Sequence, residues 1–205
     1  VNMSAAIQRM GYLPENIVML RDDQDDPSLL PTRANILAKL RTLITKSNGA
    51  AEIWFHYSGH GSKIQNPNII SENLEVIIPV DYKENGPIYD YEILDFLKQI
   101  KCRVLLFFDC CHSGTICDLP YTHEYINGEL ITTEVNNNKF INDNIIMISG
   151  CKDDQTSTDT INDLNQYVGA FTNAFIECLH KINLSNPIIL SNTSYGFLLF
   201  NYFSS

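Results

Sequence analysis

Apolar residues along this chain follow two patterns, and the two patterns alternate. Five short runs are almost continuously apolar, which is typical of strands buried on both faces of a sheet. Between them, apolar residues recur every three or four positions, which indicates amphipathic helices. The predicted strands are 17–20, 52–57, 75–80, 103–108 and 145–149. A first predicted helix begins after its N-cap Thr32 and ends at Asn48-Gly49. Further helices are predicted at 90–100, 171–182 and 193–200.

The alternation of strands and helices predicts an α/β fold. We expect a mostly parallel central sheet with helices on both faces, built by a single domain over residues 1–205. Two polar stretches, 63–73 and 120–144, are predicted to be surface loops because they are rich in Asn, Thr and other polar residues.

Composition narrows the possible functions. The chain has 24 acidic residues against 14 Lys plus Arg and a formal net charge of −10, which argues against a nucleic-acid partner. No apolar run approaches the roughly 20 residues that cross a bilayer, so no membrane partner is expected. The six cysteines form neither a CxxC pair nor a regular disulfide framework, which favours a reducing compartment and a cytoplasmic protein.

Three predicted strands end in polar groups. The first runs into Asp22, the second into Ser58-Gly59-His60 and the fourth into Asp109-Cys110-Cys111. Because sites in open α/β sheets lie beyond the carboxyl ends of the strands, a histidine and a cysteine are expected to meet there. Such a pair can generate a thiolate nucleophile and later protonate a leaving amine. Gly61, beside His60, leaves a backbone N–H accessible to an oxyanion.

Two motifs carry a family resemblance. The segments FHYSGHG at 55–61 and DCCHSG at 109–114 resemble the paired histidine and cysteine motifs of metacaspases, and His60 lies about 50 residues before Cys111, as in caspases. The resemblance runs from about residue 1 to residue 180. Further stretches that resemble the same family are 21–24, 31–35, 78–82, 118–121 and 149–157.

The resemblance implies a caspase-like three-layer sandwich and a cysteine endopeptidase with a Cys–His dyad. In an extended strand, residues i and i+2 share a face, so Cys111 projects with Asp109, and His60 with Ser58. The family pattern also places the nucleophile two residues after the aspartate. We therefore take Cys111 as the nucleophile and His60 as the base, and expect Cys110 and His56 to be core residues.

Asp109 lies next to the nucleophile, where a negative charge raises the pKa of a thiol. One interpretation makes Asp109 the base of a pocket for a cationic side chain, completed by Asp22 and Ser58. The other makes it an orienting group for His60. The resemblance favours the pocket, since it implies cleavage of proteins or peptides after Arg or Lys. Asp23 is the competitor of Asp22 and is expected to be a solvated turn residue.

The resemblance also raises the question of calcium. Many metacaspases bind Ca²⁺ through four acidic side chains, and the matching positions here are Leu74, Asp90, Tyr91 and Asp118. Two of the four are not carboxylates, so the expected cofactor requirement is none, with calcium as the alternative held by Asp90 and Asp118. The structural alternative is that Asp90 caps a helix and Asp118 is a loop residue.

Two further expectations concern the whole chain. Compared with the family pattern, the domain is expected to lack its first and last strands. The resemblance implies a monomer. Besides an Arg/Lys-specific peptidase, the sequence is compatible with a catalytically weak homologue that acts as a binding or regulatory protein.

Overall fold

A parallel sheet built from the most apolar segments forms the centre of the molecule. The computed structural model describes residues 3–66, 69, 73–110, 116–135, 144–150, 159–161, 167–181 and 195–201. The helices are α1 (Met3–Arg9), α2 (Arg33–Ser47), α3 (Tyr82–Asn85), α4 (Asp90–Gln99) and α5 (Ala170–Lys181). The strands are β1 (Ile17–Arg21), β2 (Glu52–Gly59), β3 (Gly61–Gln65), β4 (Asn73–Ile77), β5 (Ile88–Tyr89), β6 (Arg103–Asp109), β7 (Tyr121–Ile126), β8 (Glu129–Glu134), β9 (Ile145–Ser149), β10 (Asp159–Ile161), β11 (Tyr167–Gly169) and β12 (Tyr195–Asn201).

The central sheet has the strand order β1-β12-β2-β6-β9, and every neighbouring pair is parallel. Smaller antiparallel pairings lie outside it: β3-β4-β5, β7-β8 and β10-β11. The predicted mostly parallel sheet is confirmed. It arises because the strands are apolar on both faces and therefore need a covering layer on each side.

Two hydrophobic cores cover the two faces of this sheet. On one face, α2 and α4 pack over a cluster that includes Phe55 and Phe108. On the other, α1 and α5 pack over a cluster that includes Trp54 and Phe107, whose rings stack with centroids 6.1 Å apart. Adjacent residues of β2 and of β6 thus belong to opposite cores, as strand alternation requires. The caspase-like three-layer sandwich is therefore the observed architecture.

The predicted last helix at 193–200 is wrong. The described part of this segment forms β12, which lies between β1 and β2 in the central sheet. A short apolar run is compatible with a helix and with a buried strand. Here the segment forms a strand because it pairs with the backbone N–H and C=O groups of β1 and β2, which would otherwise lack partners. Gly196 is buried where α1 approaches β12, and a Cβ there would lie 2.8 Å from Cδ1 of Ile7.

Both stretches predicted as loops contain strands. The first includes most of β3 and the start of β4, which pair antiparallel. The second contains the exposed hairpin of β7 and β8. Its turn residues, Asn127 and Gly128, have φ values of 51° and 90°, as a type I′ hairpin turn requires. Residues 136–143 of the second stretch lie outside the described residues.

The helices expected at 90–100 and 171–182 are confirmed as α4 and α5. Thr32 caps α2 as predicted: its Oγ1 accepts a hydrogen bond from the Asn35 backbone N–H at 3.2 Å. None of the helices in the described ranges is both long and apolar enough to cross a membrane.

Candidate active site

The parallel register brings the polar strand ends to one edge of the sheet. Ser58 at the end of β2 pairs with Asp109 at the end of β6. On its other side, Ser58 pairs with Phe200 of β12, and Phe200 pairs with Arg21, the last residue of β1. Asp22 follows Arg21 directly in the sequence. Carboxyl ends of parallel strands share an edge, so the residues predicted from three separate segments lie along one side of the sheet.

Two hydrogen bonds to a backbone carbonyl fix the turn that carries His60. The carbonyl oxygen of His60 accepts a hydrogen bond from the Tyr57 hydroxyl at 2.7 Å and another from the Ile78 N–H at 3.1 Å. The side chain of His60 is exposed beyond the end of β2, and Gly61 opens β3 directly after it. An accessible imidazole on an anchored backbone is a suitable general base.

Cys110, which directly follows β6, packs into one of the two hydrophobic cores. Cys110 is fully buried in the core under α2 and α4, whereas Phe107 belongs to the core under α1 and α5. The prediction that Cys110 is a core residue is confirmed. Asp109 lies on the α5 side, and Cys111, two residues later, lies outside the described residues.

Asp109 is a buried carboxylate held by a helix start. Its side chain is 2% exposed, and its Oδ2 accepts the backbone N–H of Thr172 in the first turn of α5 at 2.7 Å. A carboxylate at a helix N-terminus is stabilised by the hydrogen bond and by the helix dipole. Ser58, its neighbour in the register, is fully buried. Asp109 therefore joins the edge of the sheet to α5.

The two aspartates after β1 differ in their surroundings. Asp23 is exposed and forms an ion pair with Arg21, which agrees with the expected turn residue. Asp22 is half-buried at the same sheet edge as Ser58 and Asp109. Of the two, Asp22 has the position that a pocket residue needs.

The histidine inside β2, His56, is a core residue. His56 is fully buried in β2, and its ring stacks against Phe107 with centroids 5.3 Å apart. Burial lowers the pKa of His56 to about 3, since a charged imidazole would lose its hydration. The ring is therefore neutral at physiological pH, and the expectation that His56 is a core residue is confirmed.

Two further described cysteines, Cys102 and Cys117, are buried. Burial raises the pKa of Cys102 to about 11. Burial also raises the pKa of Cys117, helped by the nearby carboxylates of Asp118, Glu75 and Asp90. Cys178 is exposed on α5. High thiol pKa values make Cys102 and Cys117 poor nucleophiles.

A cavity of about 200 Å³ lies beside β3 and β4. It contains both residues considered for calcium, Asp90 and Asp118, together with Glu75. Its lining residues are Lys63, Asn73, Glu75, Asp90 and Asp118. Asp90 begins α4, and its two carboxylate oxygens accept the backbone N–H groups of Glu75 at 2.9 Å and of Tyr91 at 2.7 Å.

With Lys63 among them, these residues do not fit a calcium ion, which takes six to eight oxygen ligands. Leu74 offers no side-chain oxygen, and Tyr91 is exposed with its ring stacked on that of Tyr89. Glu75 forms an ion pair with Lys63 at 3.3 Å. Over the ranges that the structure describes, no group of three His, Cys, Asp or Glu side chains is arranged to hold a metal ion.

Sequence reasoning missed Lys63 and Thr172 as partners of the site. Lys63 lies directly opposite Glu75 in the antiparallel register of β3 and β4. The polar composition of residues 63–73 predicts a loop and gives no sign of that pairing. Thr172 contacts Asp109 across 63 positions of sequence, and no local signal predicts a contact at that separation.

Comparison with known proteins identifies the class of this fold. A family model described as "Metacaspase, peptidase C14 domain" matches residues 1–120. Metacaspase-1 of Cryptococcus neoformans var. neoformans serotype D is 33% identical over 91% of this chain and 51% of its own length. For Metacaspase-1 of Saccharomyces cerevisiae the values are 31%, 82% and 51%. For Metacaspase-2 of Trypanosoma brucei brucei they are 32%, 96% and 59%.

A solved structure of a Geobacter sulfurreducens protein is 23% identical, with a TM-score of 0.48 over 73% of this chain and 62% of that one. The chain spans about half the length of the first curated relatives that it matches. The chain belongs to the metacaspase family.

Proposed function

We propose that this chain is a cysteine endopeptidase domain that cleaves after Arg or Lys, with Cys111 as nucleophile and His60 as base. The observation that carries the proposal is the register of β2 and β6. Ser58 and Asp109 are paired at the carboxyl edge of the sheet. His60 and Cys111 each follow their strand's paired residue by two positions.

In the proposed reaction, the thiolate of Cys111 attacks the carbonyl carbon of the scissile peptide bond. The C–N bond breaks, and the proton held by His60 goes to the leaving amine. Water then hydrolyses the thioester, with His60 accepting its proton. The backbone N–H of Gly61 is proposed to stabilise the oxyanion, since a glycine leaves that group uncovered.

The preference for Arg or Lys is proposed to come from Asp109 and Asp22, with Ser58 beside them. A carboxylate in a dry pocket attracts a guanidinium or ammonium group far more strongly than one in water. The burial of Asp109 at the sheet edge and the half-burial of Asp22 support this assignment. Peptides with a basic residue before the cleaved bond are therefore the proposed substrates.

The test is hydrolysis of a fluorogenic amide that follows Arg, using full-length protein. Cys111→Ala should reduce turnover to background, and His60→Ala should reduce it by about 10²–10⁴-fold. The matched controls are Cys178→Ala and His123→Ala, since both replaced side chains are exposed. They should leave turnover unchanged.

Wild-type turnover that persists in Cys111→Ala would refute the proposal. Labelling by a basic chloromethylketone supplies an independent result, because the inhibitor alkylates an activated thiolate. Labelling of wild type but not of Cys111→Ala supports the peptidase. A wild type that is neither labelled nor active points instead to a binding or regulatory homologue.

A further inference from the structure

Lys63 lines the acidic cavity beside β3 and β4. Its Nζ lies 3.3 Å from Oε1 of Glu75, and the two residues are directly opposite each other on β3 and β4. The carboxylate of Glu75 is 8% exposed, so it needs a compensating charge where it lies. Lys63 supplies that charge from within the chain.

The carboxylates of this cavity form one group of negative charges. Glu75, Asp90 and Asp118 line the same cavity, so their negative charges lie close together. Such a group of negative charges repels itself unless cations or hydrogen-bond donors balance it. Backbone N–H groups stabilise Asp90, and the ammonium of Lys63 stabilises Glu75.

We infer that Lys63 is the resident cation of this cavity and takes the place of a divalent metal ion. The peptidase activity of this chain then requires no calcium. The part of the inference that concerns activity rests on the proposed function; the part that concerns cation binding does not. The ammonium group of Lys63 carries one positive charge and is covalently attached to the chain. The negative charge of the cavity is therefore compensated at any calcium concentration.

The position of Lys63 connects the cavity to the proposed base. Strand β3 begins at Gly61, immediately after His60, and Lys63 is its third residue. Directly after β4, the N–H of Ile78 binds the carbonyl of His60 at 3.1 Å. An ion pair that holds β3 against β4 therefore supports the turn that presents His60.

The experiment measures thermal unfolding and peptide hydrolysis of the full-length protein in EGTA and in millimolar CaCl₂. For the wild type, we expect a Tm that changes by less than about 1 °C and turnover that changes less than about twofold. A ligand present at a hundred times its Kd raises the Tm of a domain of this size by several degrees. A Tm increase of that size in wild type with CaCl₂ but not with MgCl₂ would overturn the inference.

Three variants sharpen the test. Lys63→Met removes the charge and keeps most of the length, so its Tm in EGTA should fall by several degrees and CaCl₂ should restore part of the loss. Lys63→Arg keeps the charge and should behave as wild type. Lys83→Met is the matched control, since Lys83 is exposed on α3. A Lys63→Met protein that matches Lys83→Met in both Tm and calcium response contradicts the inference.

The readouts separate the two proposals. If the wild type shows no peptidase activity, the proposed function fails, and the Tm comparison still decides whether Lys63 replaces the metal. If Lys63→Met does not fold, the wild type and Lys63→Arg still decide it. For these two proteins, a Tm unaffected by CaCl₂ supports the inference, and a Tm raised by several degrees refutes it.

Discussion

Asp109 has two assigned roles, and its replacement separates them. Its buried carboxylate accepts the Thr172 N–H at 2.7 Å at the start of α5, and we propose that it also binds the basic side chain of the substrate. A helix cap alone predicts a loss of stability. A pocket residue also predicts a loss of preference for Arg over an uncharged residue.

The size of the stability effect follows from the contact. A hydrogen bond to a charged group contributes about 1.5–3 kcal/mol, and a carboxylate at a helix N-terminus adds about 0.3–1 kcal/mol. Asp109→Ala removes both and leaves the Thr172 N–H buried, so we expect a loss of about 2–4 kcal/mol in the free energy of unfolding. At about 2–4 °C for each kcal/mol, the Tm should fall by roughly 4–16 °C. Asp109→Asn keeps an acceptor oxygen and should lose about 1–2 kcal/mol.

The assay combines urea unfolding with kcat/KM for two peptides that differ only in Arg or Gln before the cleaved bond. Asp109→Asn should lower the ratio of the two kcat/KM values at least about tenfold, equivalent to 1.4 kcal/mol of lost discrimination. Asp23→Asn is the control, since that carboxylate is exposed and pairs with Arg21. An unchanged ratio in Asp109→Asn refutes the pocket, and unchanged stability in Asp109→Ala refutes the cap.

Three further predictions rest on single contacts. Burial lowers the pKa of His56 to about 3 from 6.5, so the unfolded chain takes up a proton below pH 6.5 that the folded chain refuses. The free energy of unfolding therefore decreases as the pH falls from 6.5 to 3, by about 1.4 kcal/mol per pH unit. In urea unfolding at several pH values, the stability of His56→Phe relative to wild type should increase by this amount for each unit of lower pH. If the stabilities of the two proteins fall in parallel, the prediction is wrong. Gly196→Ala places a Cβ 2.8 Å from Cδ1 of Ile7 and should cost about 1–3 kcal/mol. Adding Ile7→Val removes that atom and should recover part of the loss in the same assay, whereas additive losses contradict the clash. Thr32→Ala removes the acceptor for the Asn35 N–H and should cost about 1 kcal/mol in thermal unfolding, while Thr32→Ser costs little; equal losses in the two variants would show that the cap hydrogen bond is not the cause.

The sheet could be predicted from the sequence because its strands carry a strong signal. The segments that form β2 and β6 are apolar on both faces, and burial between two helical layers accommodates such runs. The edge that carries the site follows from the same pattern, since polar residues begin where the apolar run of each strand ends. Strand alternation also assigned Cys110 to the core correctly.

Segments whose structure depends on distant partners could not be predicted in this way. Residues 195–201 form a strand because β1 and β2 leave a position between them, which local periodicity does not reveal. The hairpin of β7 and β8 carries a local signal, Asn127-Gly128, within a stretch whose polar composition predicts a loop. Lys63 became recognisable as a partner of Glu75 only through the register of β3 and β4.

The net charge of −10 indicates little about specificity, because individual carboxylates differ in what they contact. Glu92 binds Arg33 at 2.6 Å, and Glu75 binds Lys63, so each of these charges is balanced within the fold. Among the described residues, Asp22 and Asp109 are carboxylates at the carboxyl edge of the sheet, the edge beyond which the proposed base His60 lies. We therefore expect the proposed selection of a basic substrate to depend on those two residues and not on the acidic surface. Neutralising exposed acids should leave the Arg preference intact, whereas neutralising Asp109 should remove it.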